Sequence, residues 1–129
     1  MILQGRKISP GSAVGETLVT GMGISFFGGV DPDTGLVVEK GHALEGQCIR
    51  GKVLVFPSGK GSTVGSYTLY RLKKAGNAPV AILNSEAETI TAVGCIISDI
   101  PCVDHLPLDL LANGIMVRVT AEAGIVEIL

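Results

Sequence analysis

The chain has 129 residues, among them 18 glycines and 6 prolines, and 47% of its residues are hydrophobic. This length fits one domain spanning residues 1–129, and the hydrophobic fraction argues against a disordered chain. Twelve acidic and ten basic side chains give a net charge of −2, so no basic field exists to hold nucleic acid or an anionic membrane.

Short segments of β-branched and aliphatic residues recur between turn signals, which is typical of a strand-rich domain. In chain order, the predicted strands are residues 2–8, 17–20, 37–38, 52–56, 79–83, 95–97, 115–120 and 125–128. The last two strands flank a turn of small and polar residues, which predicts a C-terminal β-hairpin.

Two segments between these strands have clear helix signals. Residues 62–75 carry apolar side chains near helical spacing, and cations precede Gly76, which predicts a helix ending there. Ser85 and Glu88 match a capping box, in which serine and glutamate satisfy free amides at a helix start. A short helix is therefore predicted over residues 86–93.

A third, brief helix is predicted over residues 107–112, just before an Asn-Gly turn. Strands and helices alternate over residues 52–97, and a helical crossover returns the chain to the same side of a sheet. Parallel pairing is therefore predicted there. The predicted fold class is mixed α/β, strand-rich, with three short to medium helices and a C-terminal hairpin.

The chain has three cysteines, Cys48, Cys95 and Cys102, and no CxxC pair. An odd number without metal-ligand spacing suits a reducing compartment, so each is interpreted as a small buried hydrophobe rather than a ligand. No run approaches the roughly 20 apolar residues of a membrane span, and no signal peptide is recognisable. A cytoplasmic location is therefore predicted.

Two predicted loops are rich in glycine. The glycine-rich loop (residues 21–35) contains a Gly-Gly-Val-Asp-Pro-Asp-Thr-Gly run, and a loop of this length is either functional or a surface linker. The lysine loop (residues 57–62) has the sequence Pro-Ser-Gly-Lys-Gly-Ser and joins a buried strand to a helix start. Free backbone amides, the helix dipole and Lys60 there predict an anion site.

Three familiar motifs fail in the lysine loop. A Walker A sequence would need glycine at Leu54 and a hydroxyl residue at Gly61, and a dinucleotide fingerprint would need glycine at Val64. The Gly-x-Ser-x-Gly register of hydrolases is also absent. Nucleotide binding and a hydrolase elbow are therefore not predicted.

Ser62 has two interpretations, an ordinary helix N-cap or a reactive hydroxyl at a helix start. The residues alone favour the cap, since serine is among the best N-cap residues. An alkoxide would need preorganised donors, which backbone amides and a cation supply. The only histidines are His42, predicted in a solvated loop, and His105, predicted to cap or decorate a turn, so a serine triad is not favoured.

Residues 28–35, the strand over residues 51–55 and the lysine loop together resemble the small, swivelling-domain subunit of the aconitase X family, nearly end to end. The resemblance implies a swivelling β/β/α domain that docks on a large subunit, with the active site between the two chains. The resemblance also places a 4Fe-4S cluster on the large subunit, and the three cysteines of this chain lack cluster spacing.

The resemblance further implies a hydro-lyase that dehydrates mevalonate 5-phosphate to trans-anhydromevalonate 5-phosphate in the archaeal mevalonate pathway. Ser62 would be the proton acceptor, and Lys60 with the amides of Gly59 and Gly61 would hold the carboxylate or phosphate of the substrate. Asp31 and Asp33 are expected to shape a turn or to meet substrate. The alternatives are a hydroxyproline dehydratase subunit of the same family and a non-catalytic interaction domain.

Overall fold

A computed structural model describes residues 1–129. Its strands are β1 (Ile2–Gln4), β2 (Arg6–Ser9), β3 (Ser12–Val19), β4 (Val53–Phe56), β5 (Ala81–Asn84), β6 (Cys102–Asp104), β7 (Met116–Thr120) and β8 (Ile125–Ile128). Its helices are the kinked single turn α1 (Phe26–Gly29), α2 (Val64–Lys74) and α3 (Thr89–Ser98), with 3-10 turns at Leu108–Leu110 and Ala121–Ala123. None of these helices combines the length and hydropathy required to span a bilayer. The mixed α/β class and the C-terminal hairpin are confirmed.

The eight strands form one sheet in the order β1-β8-β7-β3-β4-β5-β6-β2. Strands β3, β4, β5 and β6 run parallel, as predicted for the β4–β5 pair, and the other pairs are antiparallel. The two edge strands are consecutive in the chain and are separated only by Gly5, whose amide donates to the carbonyl of Gly124 at 2.7 Å. The N-terminal segment therefore connects both edges and closes the sheet.

The parallel strands lie between two apolar layers. In β4, Val53 and Val55 point to the inner core, whereas Leu54 and Phe56 point to the outer core under the helices. All four are fully buried, which matches the continuous apolar sequence expected of strands covered on both faces. The carboxyl ends of β3, β4 and β5 therefore open at one rim, where the loops of interest lie.

Helix α3 corrects two predictions. The helix predicted over residues 86–93 instead begins at Thr89, because the Glu88 carboxylate caps it by accepting hydrogen bonds from the amides of Ile90 and Thr91. The strand predicted over residues 95–97 is wrong, since those residues form the last turns of α3. Their β-branched side chains favour a strand locally, but the cap and the packing on α2 decide for helix.

Several further elements differ from prediction, among them the strand predicted over residues 17–20, which begins at Ser12, and the strand predicted over residues 2–8, which is divided into β1 and β2. The helix predicted over residues 62–75 is confirmed as α2, whereas residues 107–112 form only the 3-10 turn. Of the strand predicted over residues 37–38, Val37 makes only an isolated bridge to Val30, and Val38 lies in no strand. The sheet also gains β6 (Cys102–Asp104), which was not predicted because three residues after a proline carry too little pattern.

The pairing of β2 with β6 includes an ion pair between the half-exposed Arg6 and the fully buried Asp104. Arg6 donates from Nε and Nη2 to the two carboxylate oxygens of Asp104 at 2.9 and 2.8 Å, and the amide of Ala87 donates to Oδ2 at 2.9 Å. Burial opposes ionisation of Asp104, but the hydrogen bonds from Arg6 and Ala87 outweigh it and hold the pKa below its usual value. The ionised carboxylate therefore stabilises the folded chain.

Asp104→Asn should lower the free energy of unfolding at pH 7 by roughly 1–3 kcal/mol, because it leaves the buried end of the Arg6 pair poorly matched. A carboxylate with a lowered pKa stabilises the fold above about pH 4 and loses that contribution as the pH falls through the folded pKa. Urea titrations at pH 7 and pH 3 should thus show the two proteins converging at the lower pH.

A matched control is Glu127→Gln, since Glu127 pairs with Arg118 across β7 and β8 but is partly exposed, whereas Asp104 is fully buried. That variant should change stability by less than about 1 kcal/mol at both pH values. If Asp104→Asn kept the same difference from the parent chain at pH 3 as at pH 7, the proposed contribution of the ionised carboxylate would be wrong.

Candidate active site

The lysine loop leaves the end of β4 at the rim of the sheet and turns directly into α2. It is tied to the glycine-rich loop, because the amide of Lys60 donates to the carbonyl of Ile24 at 2.9 Å and Gly59 forms a parallel bridge with Ile24. The two glycine-containing loops, which lie far apart in sequence, are therefore held side by side.

Two glycines of the lysine loop lie where a side chain would not fit. Gly61 has a φ of +94°, and a Cβ added there would overlap the hydroxyl of Ser25. A Cβ at Gly59 would overlap the carboxylate of Glu88 and the hydroxyl of Thr91. These contacts, rather than flexibility, explain the need for glycine at both positions.

Ser62 is exposed at the end of this loop. Its Oγ accepts a hydrogen bond from the amide of Val64 at 3.2 Å, and its carbonyl accepts one from Gly65 at 2.9 Å. No imidazole or carboxylate of this chain is hydrogen-bonded to the hydroxyl. The N-cap of α2 is Thr63, whose side chain makes no cap bond, so Ser62 supplies a capping contact from one residue before it, and the hydroxyl remains open to solvent.

Several amides around Ser62 have no partner. Those of Gly59 and of residues 61–63 donate no hydrogen bond within the chain. The first turn of α2 also contains no acidic side chain. Unpaired amides and the positive end of a helix dipole favour negative charge, so the predicted anion site has the required donors.

Lys60 is not a free cation. Its Nζ lies 3.0 Å from Oε2 of Glu39, and both side chains are partly exposed. The pair neutralises much of the positive field that the sequence predicts, while an ammonium keeps further N–H donors for a ligand. Sequence reasoning missed Glu39, because a glutamate in a polar segment gives no signal of a partner 21 residues away.

A groove of about 460 Å³ lies between the two loops, and it is lined by Ser25, Phe27, Gly28, Gly29, Glu39, Lys60 and Gly61. It brings together two of the predicted binding residues, Lys60 and Gly61. It also includes Ser25, which sequence reasoning did not single out and whose Oγ donates to the carbonyl of Phe27 at 3.0 Å. The groove is shallow and open, as half of a site would be.

The aspartates of the glycine-rich loop lie in a turn. The amide of Asp33 donates to Oδ1 of Asp31 at 2.9 Å, and the amide of Gly35 donates to the carbonyl of Asp31 at 2.7 Å. Oδ1 of Asp33 also lies 3.5 Å from Nη2 of Arg71 in α2. The turn-forming role is therefore the one these contacts support.

His42 corrects a prediction, because it is buried rather than solvated. Its Nε2 lies 3.0 Å from the carbonyl of Gly23, and its Nδ1 accepts from the amide of Leu44 at 3.0 Å. The ring therefore contacts the backbone of the glycine-rich loop from the buried side and stabilises it. His105 lies at an exposed turn beside Glu86, as expected.

The cysteines do not fit an iron–sulfur cluster. Cys95 and Cys102 are fully buried in the outer core, as predicted, and Cys48 is half-buried. A hydrogen bond with Cys102, followed by burial, raises the pKa of the Cys95 thiol well above its usual value. Cluster ligation needs thiolates converging on an accessible space, which these side chains do not offer.

The fold and this rim define a class of protein: a swivelling β/β/α domain that presents a serine and unpaired amides to solvent, with no base of its own beside the serine. The comparisons with known proteins agree with this fold. The chain belongs to the aconitase X family, since the family model described as the aconitase X swivel domain matches residues 2–128.

Two curated relatives have the name phosphomevalonate dehydratase small subunit. The one from Methanosarcina acetivorans is 57% identical, and the alignment covers 98% of this chain and 90% of the relative. The one from Thermococcus kodakarensis is also 57% identical, with 100% and 97% covered. A crystal structure of Thermococcus kodakaraensis aconitase X in its holo-form superposes with a TM-score of 0.98 at 56% identity, covering 100% of this chain and 98% of that one.

Proposed function

We propose that this chain is the small subunit of a phosphomevalonate dehydratase and that Ser62 is its proton acceptor. The observation that carries the proposal is the position of Ser62, exposed at the start of α2 among unpaired amides. The names of the relatives support the substrate. Dehydration of mevalonate 5-phosphate would give trans-anhydromevalonate 5-phosphate.

The surroundings of Ser62 favour its deprotonated form. The Val64 amide already donates to Oγ, and the dipole of the eleven-residue helix α2 places positive potential at the same end. The free amides of residues 61–63 lie in the adjoining backbone. Such preorganised donors stabilise an alkoxide in a site from which water has been excluded.

The proton balance assigns one half of the reaction to this chain. Ser62 Oγ takes the proton from the carbon next to the substrate carboxylate, the electrons of that C–H bond form the double bond, and hydroxide leaves from the neighbouring carbon. The departing hydroxide needs an electrophile or acid, and none is hydrogen-bonded beside Ser62 here. We assign that role to the large subunit, where a 4Fe-4S cluster is expected and would act as Lewis acid.

Substrate anions would be held at the groove. Lys60 keeps free N–H donors beyond its bond to Glu39, and the amides of Gly59 and Gly61 are unpaired. A carboxylate or phosphate there would meet charge-assisted and backbone hydrogen bonds together.

The thiols of Cys95 and Cys102 are buried and form no disulfide, which supports a reducing, cytoplasmic setting for the enzyme.

The substrate is tested by co-expressing this chain with its large subunit under anaerobic conditions. We expect the purified pair to convert mevalonate 5-phosphate, with the product identified by mass spectrometry, and to leave hydroxyproline unchanged. Conversion of hydroxyproline alone would overturn the substrate assignment.

Lys60→Met should raise the KM of the two-chain enzyme for mevalonate 5-phosphate by roughly tenfold or more, because one charged hydrogen bond to the anion is lost.

A further inference from the structure

Helices α2 and α3 present an apolar surface to solvent. Six large apolar side chains on these two helices are between 40% and 67% exposed, and together they define the α2/α3 face: Val64, Tyr67, Tyr70, Val93, Ile96 and Ile97. Helix α3 contains no charged residue over its whole length. A surface helix of a free-standing domain normally has a polar outer side, so this face is typical of an interaction site.

A groove of about 310 Å³ runs between the two helices on this face. Its apolar lining comes from Tyr67, Ile90, Val93 and Ile97, and its end nearest Ser62 is formed by Thr63 and Thr89. Thr63 follows Ser62 directly in the chain. The groove is therefore continuous with the rim that bears the candidate active site.

The charges of the two helices are gathered at one end. Helix α2 carries three cations in its last turn and no acid, while α3 carries no charge. Arg71 pairs with Asp33 of the glycine-rich loop, whereas Lys73 and Lys74 lie beside Ile97 and Asp99 at the end of α3. A complementary surface would be apolar near Ser62 and acidic near the end of α2.

We propose that the α2/α3 face is the docking surface for the large subunit, which would place an apolar segment in the groove and acidic side chains opposite Lys73 and Lys74. The inference rests on the proposed function, since a second chain must approach Ser62 to complete the site. The surface adjoining Ser62 is apolar, grooved and uncovered, and a chain reaching that serine would cover it. The partner's remaining catalytic groups would then face the 460 Å³ groove.

The test measures association of the purified chain with its large subunit by calorimetry, without substrate. Val93→Glu should weaken binding by at least roughly 100-fold, because it places a charge in an apolar contact, and Tyr67→Ala by roughly tenfold or more. Lys74→Glu should weaken binding at low ionic strength, and added salt should reduce that difference. Both apolar positions are exposed, so thermal unfolding of each isolated variant should match that of the parent chain.

The matched control is Val14→Glu. Val14 is 50% exposed on β3, outside the helix layer, and it lies opposite Arg118 in the register with β7, so the new carboxylate is tolerated. This variant should bind the large subunit as the parent chain does.

Unchanged affinity of folded Val93→Glu would overturn the docking surface. So would an isolated chain that dimerises through this face, with Val93→Glu abolishing the dimer while leaving large-subunit binding intact. A complex that assembles but dehydrates neither substrate would instead contradict the proposed function and leave the docking surface standing.

Discussion

Ser62→Ala should abolish dehydration by the two-chain enzyme while leaving the two chains assembled. The substitution removes the oxygen that would accept the proton, and it keeps the amides and Lys60 that would hold the substrate. Losing a positioned base costs typically 10²–10⁴-fold in rate, so kcat should fall by about that factor. KM should change far less, because the anion donors remain. Steady-state kinetics of the purified pair measure both.

The same substitution removes the hydrogen bond from the Val64 amide, which should lower stability by about 1 kcal/mol. This loss is small enough to leave the fold intact, and urea unfolding of the isolated chain checks it. Ser58→Ala is the matched control, since it deletes a hydroxyl in the same loop that makes no hydrogen bond within the chain. Equal loss of activity in both variants would show that Ser62 acts through loop structure rather than as proton acceptor.

Gly61→Ala should be the second most damaging change to activity. Its φ of +94° is strained for alanine, and the new methyl group would overlap the hydroxyl of Ser25. The lysine loop and the glycine-rich loop would have to separate, which displaces both Lys60 and Ser62. We expect a roughly 100-fold or greater loss in kcat/KM and a loss of stability of about 1–3 kcal/mol.

Gly46→Ala separates backbone strain from the contact. Gly46 has a φ of +84°, but a Cβ there meets no atom within 4 Å. It should therefore lose only the part of that stability that comes from the backbone, roughly 1 kcal/mol, and keep full activity. If Gly46→Ala and Gly61→Ala reduced activity equally, the junction between the two loops would have no special part in catalysis.

The lysine loop shows what local sequence determines. A buried aliphatic strand, a Pro-Ser-Gly-Lys-Gly-Ser turn and a helix pattern predict the strand end, the helix start and the position of Ser62, and α2 begins within two residues of the predicted start. These features depend on neighbours in the chain, so they are legible in one sequence. The resemblance to a family added the expectation that Ser62 is reactive.

The partners of that loop were not predictable in the same way. Glu39 neutralises Lys60, and Ser25 lies against Gly61, yet both residues lie more than 20 positions away in sequence. Such pairings arise from sheet topology and loop packing. The burial of His42 is a third example, since two backbone contacts from different segments hold a ring that its polar sequence context places in solvent.

Helix α3 shows a competition between local preferences. Ser85 and Glu88 do match a capping box, but the amide of Ser85 donates to the carbonyl of Pro57, so this serine belongs to the turn after β5. Glu88 alone then caps α3 with both carboxylate oxygens. The apolar, β-branched residues on the outer side of α3 resemble a strand in sequence. The same apolar side chains make α3 suitable for covering by another chain.

A catalyst divided between two chains must be inactive when either chain is absent, and its serine must be needed even when both are present. The decisive measurement adds increasing amounts of the purified chain to a fixed amount of large subunit and follows formation of trans-anhydromevalonate 5-phosphate. The rate should be absent with either chain alone, rise to a plateau with the parent chain, and stay near zero with folded Ser62→Ala at saturating amounts. Product from this chain alone, or a normal plateau with Ser62→Ala, would contradict the account.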